Sequence, residues 1–281
     1  VRSGVSPGFV VERDGVAVAV LPADAGVDAA VARLAGLVRG ASKGEGLGNK
    51  FLGHIREVDA IVHIVRCFEN PDIAHIYGPI HPVRDIEIVN TELILADLET
   101  LERRIVKVEK AARSGDKESR RVLDFCSRMK SALSRGVAAR NVPRAEQETD
   151  IARDLHLLTD KKVLYIANVS ESVLKEDGAY IRQVEEYARK EGAQAIAICG
   201  DMEMEIAKLD RKEQKDFLAD LGLEESGLQK LIRAGYELLD LITFYTTVGP
   251  ELRAWTIKRG TRAPEAAGRI HTDMERGFIR A

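Results

Sequence analysis

The sequence predicts an α/β protein organised around a parallel sheet, on three observations. Residues 60–68 (AIVHIVRCF), 162–167 (KVLYIA) and 193–199 (AQAIAIC) are short, apolar and rich in β-branched side chains, the length of buried strands rather than helices. The second and third runs are followed by polar loop residues and then by helical stretches near 180–190 and 203–221. Strands alternating with helices give a parallel sheet covered on both faces. A long helical insertion separates the first two strands.

In that insertion Ile94, Leu98, Leu101, Ile105, Val108 and Ala112 recur at alternating steps of four and three, the period of a coiled-coil seam. Ser114-Gly115-Asp116 interrupts it, and Val122, Cys126, Met129 and Leu133 resume it. The two stretches are expected to fold back as an antiparallel hairpin projecting from the sheet, with Asp116 near the second N-terminus. After Leu241 the texture changes: residues 243–247 and 253–257 read as short strands around Gly249-Pro250. The expected division is a lead over 1–32, a main domain over 33–240 with its insertion at about 86–150, and a small domain over 241–281.

Composition is that of a globular protein. Hydrophobic residues make up 45% and charged residues 31%, and the net charge is only −3, which argues against disorder and against a partner bound through bulk charge. Neither DNA nor a membrane is indicated as a partner. Cys67, Cys126 and Cys199 form no CxxC pair, so neither a disulfide framework nor a zinc site is expected, and the location expected is cytoplasmic. Of the histidines, His63 alternates within a strand and reads as a core or sheet-face residue.

Residues 40–51 (GASKGEGLGNKF) form a glycine-dense stretch whose backbone freedom suits a mobile loop. They closely resemble switch II of the YchF/Obg-like ATPases, a branch of the P-loop GTPase superfamily. The likeness continues in order through residues 55–70 (IREVDAIVHIVRCFEN), 84–93 (RDIEIVNTEL), 165–171 (YIANVSE), 227–239 (GLQKLIRAGYELL) and 253–281. The resemblance implies a P-loop NTPase-type parallel sheet, an inserted antiparallel coiled-coil hairpin and a truncated, β-grasp-like TGS domain at the C-terminus. It assigns switch II to a segment containing Gly36, Gly40, Gly44, Gly46 and Gly48. Asn168-Val169-Ser170-Glu171 matches the base-reading motif, at the strand end where open α/β sheets bind ligands. Related GTPases carry Asn-Lys-x-Asp there, the Asp accepting two hydrogen bonds from guanine. Glu171 and Val169 remove that selector, so the family likeness implies ATP, with GTP as a further possibility. Met202 and Glu203 fall where the family's last base-side loop lies. His75 matches the histidine that orients the attacking water, a positioning task of the kind phosphoryl transfer requires. The family also implies ATP hydrolysis with Mg2+ and contact with ribosomes or RNA.

Two departures qualify this. No Gly-x-x-x-x-Gly-Lys-[Ser/Thr] string occurs, and Arg33-Leu34-Ala35-Gly36 stands where the family has Asp-x-Ala-Gly, so an arginine replaces the carboxylate beside magnesium. The chain is therefore expected to be inactive alone. The lead is read as a shifted reading frame or misplaced start, and the abrupt stop in the small domain as an incomplete sequence. Two alternatives stay open: a non-enzymatic scaffold that binds RNA or protein, and a hairpin that serves as a dimerisation stalk.

Overall fold

The computed structural model describes residues 9–13, 16–20, 52–53, 55–56, 58–70, 78–174, 178–248 and 251–279. The switch II glycines and His75 lie outside these residues, as does Arg33. The chain divides into two compact units, 1–228 and 229–281.

In the first unit, strands β1 (Phe9–Arg13) and β2 (Val16–Val20) pair antiparallel, Phe9 opposite Val20. Asp14-Gly15 stands between the two valine-rich runs, a strong local hairpin signature.

The main sheet is parallel, in the order β3 (Ala60–Arg66), β4 (Lys162–Asn168), β5 (Gln194–Ile198). Val163 to Ala167 of the central strand β4 are all buried, as expected of a strand covered on both faces. Its core includes Val65, Tyr165, Val184 and Met202. The register brings Arg66 opposite Asn168 and Asn168 opposite Ile198, so all three strands end in one row.

Helix α1 (Pro82–Arg113) starts four residues before the insertion boundary expected from sequence. Pro82 sits in its first turn and His81 caps it, Nδ1 accepting from the Arg84 amide at 3.1 Å. Helix α2 (Lys117–Leu133) begins at Asp116, whose carboxylate accepts from the Ser119 amide at 2.8 Å. Leu101, Val122, Phe125, Cys126, Met129 and Leu133 are buried where the two helices pack, with Ile94, Leu98, Ile105 and Val108 partly buried against them. Phe125 lies one residue off the periodic set and was missed in sequence.

Two polar clusters join this helical pair to the sheet. Asp97 on α1 is fully buried and accepts from the Leu158 amide at 2.7 Å, the Thr159 amide at 2.8 Å and the Thr159 hydroxyl at 2.7 Å. The Thr159 hydroxyl in turn accepts from the Ala139 amide at 3.1 Å. In the second cluster, Glu191 accepts from Arg140 at 2.5 Å, from the Tyr165 hydroxyl at 2.9 Å and from the Tyr187 hydroxyl at 3.2 Å. The Asn90 side-chain amide donates to Tyr187 at 3.1 Å.

Helix α3 (Thr149–Leu155) precedes β4, and short helix α4 (Glu171–Leu174) follows it. Helix α5 (Ala179–Lys190) leads into β5. The single stretch expected over 203–221 is two helices, α6 (Gly200–Ile206) and α7 (Arg211–Asp220). Asp210 forces the break: its carboxylate accepts from the Lys212 and Glu213 amides while Glu213 returns a contact to the Asp210 amide, a reciprocal cap that starts a new helix.

Helix α8 (Gly227–Leu239) begins in the first unit and continues into the second. There β6 (Leu241–Val248) and β7 (Glu251–Lys258) form an antiparallel hairpin, Leu241 opposite Lys258. Helices α9 (Ala263–Ile270) and α10 (Thr272–Arg276) follow, the second capped by His271. Among the described residues no helix is long and apolar enough to cross a membrane.

Removing the Asp97 carboxylate leaves three buried donors without an acceptor. Asp97→Ala is expected to lower the unfolding free energy by about 3 kcal/mol in urea titrations, since each orphaned donor costs on the order of 1–3 kcal/mol. A second test concerns His63, whose ring lies 5.4 Å from that of Tyr165. Burial lowers its pKa from 6.5 to about 4, against an opposing pull from Glu191. The unfolded chain takes up this proton near pH 6.5 and the folded chain only near pH 4. Stability is therefore full above pH 6.5 and falls as the pH drops through that window, by on the order of 3 kcal/mol. His63→Phe should flatten this part of the stability profile.

Candidate functional site at the strand ends

The residues that the register aligns open into loops stitched together by backbone hydrogen bonds. The Cys67 amide donates to the Asn168 carbonyl at 2.8 Å, and the Val169 amide to the Ile198 carbonyl at 2.9 Å. Strand order thus continues one residue past the sheet, fixing the loop after β4 between its neighbours. Asn168 then uses its side chain: Oδ1 accepts from the Gly200 amide at 3.1 Å, tying the β4 loop to the first residue of α6. A Cβ at position 200 would stand 3.4 Å from that oxygen, an ordinary van der Waals contact. The Asn168 amide nitrogen makes no hydrogen bond among the described residues.

The other residues predicted for the site divide in two. Glu171 is exposed at the start of α4, and its carboxylate has no partner among the described residues. Val169 and Met202 are buried in the core of the sheet unit, so their side chains shape the floor beneath the loops. Glu203 is half-buried, and both its oxygens are engaged: Oε1 accepts from the Gly227 amide at 2.6 Å and Oε2 from the Leu228 amide at 2.9 Å. A carboxylate on the first amides of α8 satisfies donors the helix cannot and meets the positive end of its dipole. The carboxylate of the residue expected at the base side is thus engaged in a helix cap. Sequence gave no signal for the cap, because the capping residue lies 24 positions before the helix it caps.

The thiols at these strand ends are not nucleophiles. Burial pushes Cys67 up to about 12, with Asp85 adding to the effect, and burial likewise raises Cys199. Arg66 closes the end of β3, donating to the Phe68 carbonyl at 3.1 Å and the Asn70 carbonyl at 3.3 Å, with its guanidinium 4.8 Å from the Phe68 ring centre. Beyond Asn70 the chain passes to the segment containing His75, outside the described residues. Among the described residues no group of three or more His, Cys, Asp or Glu side chains could hold a metal ion.

A parallel sheet with a helical insertion between its first two strands, and with the Asn-Val-Ser-Glu loop at its carboxyl ends, defines an Obg-like member of the P-loop NTPase class. Comparison with known proteins narrows this. The chain is 49% identical over 250 residues to the ribosome-binding ATPase YchF of Bacillus subtilis, covering 88% of this chain and 68% of that protein. It is 50% identical over 248 residues to the ribosome-binding ATPase YchF of Escherichia coli O157:H7, with the same coverage. The solved structure of the Schizosaccharomyces pombe YchF GTPase superposes with a TM-score of 0.75 at 34% identity, over 88% of this chain and 67% of that one. Residues 241–281 match the family model YchF-GTPase_C, described as a protein of unknown function (DUF933). The chain belongs to the YchF family.

Glu203→Ala should cost about 2 kcal/mol by freeing two helix-terminal amides. Gly227→Ala should act on the same contact, since a Cβ there would meet Ile198 Cγ2 at 2.8 Å and Glu203 Oε1 at 2.9 Å. Combining the two substitutions should give less than the sum of their separate losses in chemical denaturation, because both break one interaction.

Proposed function

We propose that this chain serves a ribosome-associated ATPase, reading the adenine base at Asn168 and Glu171 with the buried Val169 and Met202 beneath the loops and Glu203 bracing them. The observation that carries this reading is the Asn168 side chain, which spends its oxygen on Gly200 and keeps its amide donors free. The names of the relatives, which include ribosome-binding ATPases and a GTPase, support the nucleotide and the ribosome as partners. Glu171 supports adenine over guanine, because its longer side chain displaces the carboxylate from the place where the related GTPases hold their guanine selector. ATP supplies the transferable phosphoryl group and Mg2+ its charge neutralisation, while His75 orients water in the proposed hydrolysis. Residues 36–48 act as switch II. Residues 241–281 are proposed as part of a TGS domain, and residues 86–150 as a coiled-coil insertion that with it engages the ribosome.

A second reading rests on Arg33 and on the missing Gly-x-x-x-x-Gly-Lys-[Ser/Thr] string. A cation in place of the family's carboxylate opposes magnesium, so a scaffold that binds its partners without turnover is the alternative.

Titration with ATP and GTP in the presence of Mg2+ separates these readings. Adenine nucleotide should bind at least tenfold tighter than guanine nucleotide, and Asn168→Ala should lose about tenfold, roughly one charge-assisted or two ordinary hydrogen bonds. Glu171→Asp should narrow the ATP preference. No nucleotide binding, with ribosome co-sedimentation intact, would favour the scaffold; equal affinity for the two bases would sink the base assignment.

A further inference from the structure

Of the three ties at the carboxyl ends of the strands, one leads out of the site. Asn168 Oδ1 accepts from the amide of Gly200, the first residue of α6. Three residues on, Glu203 leaves the same helix to accept from the Gly227 and Leu228 amides at 2.6 and 2.9 Å. Gly227 opens α8, the helix that carries the chain into the second unit. One seven-residue helix therefore has the Asn168 carboxamide fastened at its start and the first turn of α8 fastened to its middle.

The join is tight as well as charged. A Cβ at position 227 would stand 2.8 Å from Ile198 Cγ2 and 2.9 Å from Glu203 Oε1, so the first residue of α8 is wedged against the last residue of β5 and against α6 together. Ile198 belongs to the frame of the site, since its carbonyl holds the Val169 amide at 2.9 Å. Met202 and Ile206 sink α6 into the core of the sheet unit. A helix of about two turns, hydrogen-bonded along its length, transmits a displacement at one attachment to the other.

Two states of this clasp differ at the site. With the clasp made, the Gly200 amide holds the Asn168 oxygen and the carboxamide plane is set. With the Glu203 contacts broken, the 24 positions from Glu203 to Gly227 form an open loop. α6 then keeps only its apolar anchors, and the carboxamide is released to turn about its broad terminal torsion. A ligand that needs the Asn168 amide in one orientation binds the closed state better and so favours it.

We infer that α6 is a strut coupling occupation of the strand-end site to the ordering of the α8 first turn, with Glu203 as its positioning residue. The inference rests on the reading of Asn168 as a nucleotide contact and adds a route out of the site. A nucleotide held at Asn168 keeps the first turn of α8 closed, and loosening α8 lowers nucleotide affinity by the same factor.

Hydrogen exchange in the full chain, read by mass spectrometry at the Gly227 and Leu228 amides, tests this. Without ligand, Asn168→Ala should speed exchange at both amides by about fivefold, the low end of coupling between sites, although among the described residues the Asn168 side chain is bonded to Gly200 and not to them. The Ser119 amide, held by Asp116 on the helical pair, should keep its native rate in this variant, which separates the strut from a general loss of stability. With Mg2+ and ATP the native chain should exchange about fivefold more slowly at the two α8 amides. Glu203→Gln keeps the shape of the side chain but turns one of its two acceptors into a donor. This variant should lose the protection and bind ATP about fivefold more weakly. Glu205→Gln, which alters an exposed carboxylate two residues along α6, should do neither. Unchanged exchange at Gly227 and Leu228 in Asn168→Ala, or a rise there matched at Ser119, would overturn the inference, as would ATP binding without protection of the α8 amides. If the native chain binds no nucleotide, the functional reading fails and the ligand-free comparison alone decides for or against the strut.

Discussion

The buried carboxylate of Asp97 is the constraint on which the rest of the first unit hangs. An ionisable group fully out of water is tolerated only when its oxygens are saturated, and here the two amides and one hydroxyl of Leu158 and Thr159 saturate them. Desolvation still raises its pKa, while those hydrogen bonds pull the other way. Because Thr159 also holds the Ala139 amide, one polar node joins α1, the chain returning from α2 and the approach to β4. Three segments far apart in sequence are thereby set before the central strand begins.

From there geometry is transmitted along β4. Five consecutive buried residues leave the strand no freedom to slip, since a one-residue shift would turn every side chain to the opposite face. The cluster around Glu191 acts from the side: Arg140 from the returning segment, Tyr165 from β4, and Tyr187 with Asn90 from α5 and α1 all converge on it. The far end of β4 is then placed as firmly as its start. Asn168 emerges level with Arg66 and Ile198, and its side chain reaches Gly200 because the register puts it there.

The same economy explains Glu203. A base-side loop built only from its own hydrogen bonds would be soft. Anchoring α6 through two charge-assisted contacts to the first turn of α8 stiffens it. Both oxygens of Glu203 are thereby engaged in the cap. The helical pair follows a different logic, because its inner face is spent on apolar packing and its outer face carries charge, part of it in ion pairs.

Much of this was legible in the sequence. Apolar runs of strand length gave the three sheet strands to within two residues, and the four-and-three spacing from Ile94 to Leu133 gave the packing faces of α1 and α2, because both patterns are local consequences of backbone period. The family likeness placed Asn168 and Glu171 at a strand end, where the structure puts them. The break at Asp210 was also local, a capping box read past. What no local pattern could supply was the pairing of residues distant in sequence: Asp97 with Thr159, Glu191 with Arg140, and Glu203 with the amides of Gly227 and Leu228. Sequence determines which side chains are polar and which faces are apolar. Tertiary structure alone decided which polar groups meet, and hence that Glu203 caps α8 and that the Asn168 side-chain oxygen is spent on Gly200.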